Sequence, residues 1–144
     1  MIGFLLTGHG EFAPGLASAL ELVAGQQEAF RVVPFDVEKA SEYPELLHAE
    51  IKALREETDG VLVFVDLLGG TPFNQAMMAT QAVPDVSVVT GTNLPMLIET
   101  LFTRNSDGTA TLDSLTAGAV ESGQAGVATR ALGTSVVDDE DEDE

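Results

Sequence analysis

The sequence IGFLLTGHG, at residues 2–10, decides the fold. Residues 2–6 form a short apolar run without charge, which predicts a strand buried on both faces. The Gly-His-Gly triplet that follows lets the backbone turn sharply and leaves the imidazole of His9 uncrowded. Because open α/β sheets bind ligands at the carboxyl ends of their strands, His9 is a candidate functional residue. A histidine beside glycine is also a common loop residue, so this segment alone leaves both interpretations open.

Three further segments have the pattern of strands. They are residues 30–35 (FRVVPF), 61–65 (VLVFV) and 85–90 (DVSVVT). Pro34 indicates an edge or the end of a strand, since proline donates no hydrogen bond to a neighbouring strand. Residues 61–65 give the strongest pattern, because all five are apolar and three are β-branched.

A helical pattern follows each predicted strand. The expected first-turn or cap residues are Pro14, Ser41, Thr71 with Pro72, and Pro95. Apolar stripes at helical spacing are Leu16, Leu20 and Val23 in the first helix, and Tyr43, Leu47, Ile51 and Leu54 in the second. The alternation predicts an α/β fold: an open four-stranded parallel sheet with helices on both faces and right-handed crossovers.

The C-terminal part of the sequence is less regular. Residues 112–122 predict a fifth helix that Gly123 and Gly126 interrupt. Residues 126–132 (GVATRAL) fit either a last strand or a resumed helix, because so short a piece shows no clear period. We expect one domain over residues 1–132 and an acidic, disordered tail over residues 133–144, which bury too little apolar surface to order themselves.

Composition excludes several classes of protein. The chain has 144 residues, a net charge of −18 and no cysteine, so disulfides, thiolate metal sites and cysteine nucleophiles are excluded. The acidic balance argues against nucleic-acid binding and against anionic lipid, and suits a basic protein partner. No apolar stretch is long enough to span a bilayer, and a basic region before residue 2 is missing, so we expect a cytoplasmic protein.

Polar residues follow three of the four predicted strands. They are His9, Asp66 and the pair Thr92-Asn93. Because the carboxyl ends of parallel strands share one edge of a sheet, His9 and Asp66 are able to meet there. A carboxylate that accepts a proton from one imidazole nitrogen makes the other nitrogen the better nucleophile, and a histidine nucleophile can carry a phosphoryl group.

The turn Gly69-Gly70-Thr71-Pro72 opens the third predicted helix, whose N–H groups and positive dipole end suit phosphate. Each of these features also has a purely structural interpretation: Asp66 and Asn93 as capping residues, and the glycine turn as a tight connection. His48 lies off the apolar stripe of the second helix and is interpreted as a solvated residue. The sequence has no nucleophile elbow, no P-loop lysine motif and no histidine pair with zinc-ligand spacing.

Together these motifs resemble the IIA component of the mannose/fructose/sorbose family of the bacterial phosphoenolpyruvate-dependent sugar phosphotransferase system. The matching segments are TGHG at residues 7–10, VD at 65–66 with GGTPFN at 69–74, GTNLPMLIE at 91–99, and ESG at 121–123 with GV at 126–127. The resemblance covers about residues 1–132. The combination is specific, although no single segment would be.

The resemblance implies a phosphotransferase with a phosphohistidine intermediate. His9 would accept a phosphoryl group on Nε2 from phospho-HPr and pass it to a separate IIB component, with membrane IIC and IID components downstream. Asp66 would orient His9 through Nδ1–H, and Gly70 and Thr71 would bind the phosphate, without a metal or cofactor. The resemblance also implies a homodimer in which a short fifth strand, at residues 126–132, is exchanged between subunits.

Two alternatives stay open at this stage. One is a regulatory or signalling phosphoacceptor on the same fold, as in relatives found in transcription regulators. The other is a receiver-like domain with Asp66 as the phosphate acceptor, which would need an acidic cluster where this chain has Gly8-His9-Gly10.

Leu67 and Leu68 stand at positions that vary among relatives, and they are candidates for tuning partner docking.

Overall fold

The structure is a computed structural model that describes residues 1–133. It has four strands and five α-helices, which alternate as far as the fourth helix. In chain order these are β1 (Gly3–His9), α1 (Phe12–Ala24), β2 (Phe30–Phe35), α2 (Tyr43–Glu57), β3 (Val61–Val65), α3 (Gly70–Ala82), β4 (Val86–Val89), α4 (Leu94–Ser106) and α5 (Leu112–Ala125). One turn of 3-10 helix, Val37–Lys39, lies between β2 and α2.

The four strands form one parallel sheet in the order β2-β1-β3-β4. The predicted α/β class and parallel sheet are therefore confirmed. Strand β1 lies in the interior of the sheet, between β2 and β3, and its last residue His9 pairs with Phe35 at the end of β2. Strand β2 is an edge strand, which explains how Pro34 is tolerated there. His9 is thus brought to the carboxyl edge of the sheet.

Each face of the sheet is covered by a separate apolar core. Phe4 and Leu6 of β1 point into the core formed with α1, α4 and α5. Leu5 points into the opposite core, formed with α2 and α3. The alternation of neighbouring side chains between two buried faces is what the apolar run at residues 2–6 predicts for an interior parallel strand.

The helices differ from the sequence expectations at several ends. The predicted stripe of α2 is confirmed, since all four of its residues are buried. Val23 of α1 is instead 57% exposed, because α1 turns that position away from the sheet. The helix α2 begins after Glu42 rather than at a Ser41 cap, and α3 begins at Gly70 with Gly69 as its N-cap, so the Thr71 cap is wrong.

The predicted interruption at Gly123 is also wrong. Helix α5 continues to Ala125, and Gly123 is buried inside it against Met96 of α4. A Cβ atom at residue 123 would lie 2.7 Å from the Met96 Cε. The glycine therefore serves the close packing of α5 on α4 rather than ending the helix.

Residues 126–133 form neither a helix nor a strand in the single described chain. All of them are exposed, including Val127 and Leu132. A helical continuation is thereby excluded, and the exchanged strand stays a prediction that a single chain does not test. Residues 134–144, which carry most of the predicted acidic tail, lie outside the described residues.

Candidate functional site

His9 occupies the last position of β1, at the carboxyl edge of the sheet. Its side chain is 45% exposed, so the imidazole is accessible from solvent. Gly10, which follows, has a φ of 55°, a left-handed conformation that glycine adopts without strain. The chain turns away there and leaves the ring at the surface.

Asp66 follows β3 directly and holds His9 at two points. One carboxylate oxygen, Oδ2, accepts the backbone N–H of His9 at 2.9 Å and lies 2.8 Å from the ring Nδ1. The other oxygen, Oδ1, accepts the backbone N–H of Leu67 at 2.9 Å. A carboxylate so placed favours the tautomer with the proton on Nδ1, and leaves Nε2 with its lone pair free.

Gly8 makes this contact possible. A Cβ atom at residue 8 would lie 2.9 Å from the Asp66 carboxyl carbon and 2.7 Å from the ring of Phe12. Any larger residue would therefore displace the carboxylate from His9. Gly8 therefore leaves room for the Asp66 carboxylate, whereas Gly10 allows the chain to turn after His9.

The start of α3 faces the other ring nitrogen. A Cβ atom at Gly70 would lie 3.1 Å from Nε2 and 3.0 Å from Cε1 of His9. Gly69 and Gly70 both have positive φ, and no side chain caps α3. The Thr71 hydroxyl is exposed and makes no hydrogen bond within residues 1–133. The space beside Nε2 is therefore bordered by an uncapped helix N-terminus, which favours anions.

The third polar pair of the sequence has a structural role. The Thr92 hydroxyl donates to the Val65 carbonyl at 2.8 Å. The Asn93 side chain accepts the N–H of Met96 as the N-cap of α4, and donates to the Gly123 carbonyl of α5. Thr92 thus ties the segment after β4 to the end of β3, and Asn93 ties α4 to α5. Within residues 1–133 neither of them makes a hydrogen bond to His9.

Sequence reasoning missed two aromatic residues behind His9. Phe35 packs its ring against the imidazole in an edge-to-face arrangement, with centroids 5.9 Å apart. Tyr43 packs in turn against Phe35, with centroids 4.7 Å apart. Phe35 was recognisable as a strand residue, but its contact with His9 depends on the pairing of β1 with β2.

His48 is placed differently from its interpretation as a solvated residue. It is half-buried, and its Nε2 lies 3.1 Å from the Gln75 carbonyl of α3. The side chain therefore links α2 to α3.

The carboxyl group of Asp66 has a lowered pKa. Burial raises the pKa, but the hydrogen bonds from the His9 backbone and ring, the charge of His9 and the Leu67 N–H together outweigh it. Asp66 is thus ionised at neutral pH, and its negative charge faces the imidazole.

Comparison with solved structures shows the class of protein to which this architecture belongs. The structure of phosphotransferase system component EIIA from Streptococcus agalactiae superposes with a TM-score of 0.77 at 30% identity, and the match covers 90% of this chain and 97% of that one. The fold is therefore that of a phosphotransferase system EIIA protein.

The family follows from the sequence comparisons. A family model described as "PTS system fructose IIA component" matches residues 3–117, and the chain belongs to that family. It is 33% identical over 105 residues to the fructose-specific EIIA component of Bacillus subtilis (strain 168), covering 72% of this chain and 71% of that protein.

A longer relative is the mannose-specific EIIAB component of Escherichia coli (strain K12), with 37% identity over 127 residues. That match covers 88% of this chain and 38% of the relative, so the chain spans less than half of that protein. Within residues 1–133, no helix combines the length and the apolar character that crossing a membrane requires.

We predict that Asp66→Asn lowers the free energy of unfolding at pH 7, and that the loss shrinks as the pH falls toward 3. The pKa of Asp66 is below its ordinary value of 3.8 in the folded protein. Its contribution is therefore present above that value and is lost as the pH falls through the folded pKa. Urea unfolding of both proteins across this range measures the difference.

The control for this measurement is Glu56→Gln. Glu56 is exposed and makes no hydrogen bond or ion pair within residues 1–133. A loss for Asp66→Asn that stays the same from pH 7 to pH 3 would contradict the assignment of the stabilisation to the charged carboxylate.

Proposed function

We propose that this protein is a phosphoryl carrier of a sugar phosphotransferase system. In this proposal His9 accepts a phosphoryl group from phospho-HPr and passes it to a IIB component in the cytoplasm, for sugar uptake and phosphorylation. The observation that carries the proposal is the geometry of His9, with Nδ1 held by Asp66 at 2.8 Å and Nε2 facing Gly70 at the start of α3. Membership of the family supports the same role.

The transfer step follows from this geometry. The lone pair of Nε2 forms a bond to phosphorus, while the bond from phosphorus to the donor histidine of HPr breaks and its electron pair returns to that nitrogen. Nδ1 keeps its proton, and the Asp66 carboxylate stabilises the positive charge that the ring gains. The reverse sequence, with the IIB component as acceptor, releases the phosphoryl group. Alignment of the two partners and charge stabilisation supply the catalysis.

The phosphoryl oxygens require donors, and the N-terminus of α3 supports this role. Its first backbone N–H groups lack a side-chain cap, and Gly70 lets the phosphoryl group come close. We assign the Thr71 hydroxyl as a further donor, since it has no other partner within residues 1–133. Hydrogen bonds from a helix N-terminus stabilise negative charge with little reorganisation.

The surface around His9 has features of a docking site for protein partners. Leu67 and Leu68 follow Asp66 directly and are 48% and 73% exposed. On the other side of His9, Val37 and Leu46 are exposed in a cleft of about 470 Å³.

The charged residues along this cleft are mostly acidic. Glu11, Asp36 and Glu42 line it together with a single lysine, Lys39. The combination of exposed apolar side chains and negative charge suits a partner with an apolar, basic surface.

The regulatory alternative shares the phosphoacceptor His9 and differs in its partners. Nothing in the comparisons favours it over the carrier role. The receiver-like alternative would require Asp66 as a nucleophile, but both Asp66 oxygens are already engaged by His9 and Leu67.

We propose that the protein functions as a homodimer with an exchanged strand at residues 126–132. Strand β4 is an edge strand of four residues in the single chain, so its outer hydrogen-bonding groups are open to a partner strand. Val127 and Leu132 are apolar and almost fully exposed, which suits burial against a second subunit.

We predict that His9→Ala abolishes labelling by phosphoenolpyruvate, enzyme I and HPr, since the sequence has one other histidine, His48, and it lies between α2 and α3. Wild type should gain one acid-labile phosphate, measured as intact mass. His48→Ala is the control and should be labelled as wild type, because His48 lies between α2 and α3. Acid-stable, magnesium-dependent label at Asp66 would instead support the receiver-like alternative.

We predict that Leu68→Asp raises the KM for phospho-HPr about tenfold, which corresponds to about 1.4 kcal/mol of binding free energy. The saturating rate of transfer should stay within twofold, because Asp66 and not Leu68 holds the His9 ring. Leu22→Asp is the matched control, since Leu22 is exposed on α1. A wild-type KM for Leu68→Asp would show that Leu68 is not part of the docking surface.

We predict that a chain ending at Ala125 is a monomer, whereas the full chain is a dimer by sedimentation equilibrium. The matched control is a chain that ends at Gly133, which lacks only residues 134–144 and should remain dimeric. If both shortened chains dimerise like the full chain, the exchanged segment is not the source of the dimer.

A further inference from the structure

The position of Phe35 suggests a role beyond packing. Phe35 is the last residue of β2 and the parallel partner of His9, and its carbonyl accepts the N–H of Gly10 at 2.9 Å. Its ring meets the imidazole at an interplanar angle of 82°, with centroids 5.9 Å apart. This is an attractive edge-to-face geometry between aromatic rings. The backbone pairing and the ring contact thus tie Phe35 to the same residue twice.

Asp66 alone does not determine the orientation of the His9 ring. A single hydrogen bond at Nδ1 defines one point of the ring, while the torsion that rotates an imidazole about its own bond has broad energy minima. The side chain is 45% exposed, and Gly70 presents no side chain toward Nε2. A rigid surface on the remaining side is therefore needed to keep Nε2 directed at the start of α3.

Phe35 is itself held rigidly. It is 7% exposed, and the ring of Tyr43 packs against it at an interplanar angle of 64°. Tyr43 is buried, and its hydroxyl lies 2.6 Å from the Thr7 hydroxyl, which donates to the Val33 carbonyl. The Tyr43 hydroxyl is therefore the donor to Thr7. Burial raises the pKa of Tyr43 to about 12, so the hydroxyl keeps its proton at neutral pH.

We propose that Phe35 is a positioning residue for His9, and that the row Tyr43–Phe35–His9 holds the imidazole with Nε2 toward the Gly70-Thr71 turn. In the sheet β1 lies between β2 and β3, so the ring is bounded by Phe35 from the β2 side and by Asp66 and Gly70 from the β3 side. The consequence for phosphoryl transfer rests on the proposed carrier function. The orientation of the ring does not, because it is a property of the protein without partners.

The first experiment measures the ring in the unphosphorylated protein. Long-range ¹H–¹⁵N spectra of His9 report which nitrogen carries the proton. We expect wild type to show the Nδ1–H tautomer, and Phe35→Leu to show a mixture of tautomers. Phe30→Leu is the matched control, because it makes the same change at the opposite end of β2, and it should keep the wild-type spectrum of His9.

The second experiment measures transfer from phospho-HPr. We expect Phe35→Leu to lower the saturating rate about tenfold, with the KM for phospho-HPr within twofold, because a misdirected nucleophile slows the step without weakening docking. Phe30→Leu should match wild type in both constants. Phe35→Met carries the same prediction with a side chain of similar volume, and serves if Phe35→Leu does not fold.

Three results would overturn the inference. They are a wild-type tautomer and wild-type rate in a folded Phe35 variant, a raised KM with an unchanged rate, or an equal effect of Phe30→Leu. If wild type itself accepts no phosphate from phospho-HPr, the carrier function fails, and the tautomer comparison still decides whether Phe35 positions His9.

Discussion

The contact between Asp66 and His9 is the interaction on which the site depends. One carboxylate oxygen binds both the backbone and the ring of His9, and so joins the ends of β1 and β3. The bond requires a parallel pairing of these strands, with Thr7 opposite Val65, so that Asp66, directly after Val65, reaches His9, two residues after Thr7. It also requires the absence of a side chain at Gly8. The strand pairing, Gly8 and the Asp66 carboxylate therefore act together to fix the position of the His9 imidazole.

The two nitrogens of that imidazole face opposite kinds of environment. Nδ1 faces a carboxylate whose pKa is lowered, whereas Nε2 faces the N-terminus of α3, where N–H groups favour anions. A ring held between a negative and a positive partner is suited to carry a phosphoryl group on the positive side. In the proposed transfer the negative side stabilises the charge that the ring acquires. The asymmetry arises because Asp66 follows the end of β3 and α3 begins four residues later, at Gly70.

The surface beyond the site differs in character from the core. Aliphatic packing fills both faces of the sheet, but exposed leucines follow Asp66, and carboxylates line the cleft beside His9. Under the proposed function the protein meets two partners in turn, and it must bind each of them weakly enough to release it. A small apolar patch with an acidic border is consistent with transient docking, because steering by charge raises the encounter rate more than the affinity.

The sequence by itself determined the strands, the parallel α/β class and the two ends that carry His9 and Asp66. Those features are local: apolar runs, glycine turns and the alternation of strand and helix patterns leave signals within a few residues. Family motifs added the expected partners of His9.

The tertiary structure alone decided which residues surround the ring, because Phe35 and Tyr43 come from other elements and look like ordinary core residues in the sequence. It also decided that Thr92 and Asn93 tie the scaffold together, that Gly123 serves packing, and that Gly69 rather than Thr71 precedes α3. These outcomes depend on strand register and on close approach between elements, and neither is encoded in the spacing of residues along one segment.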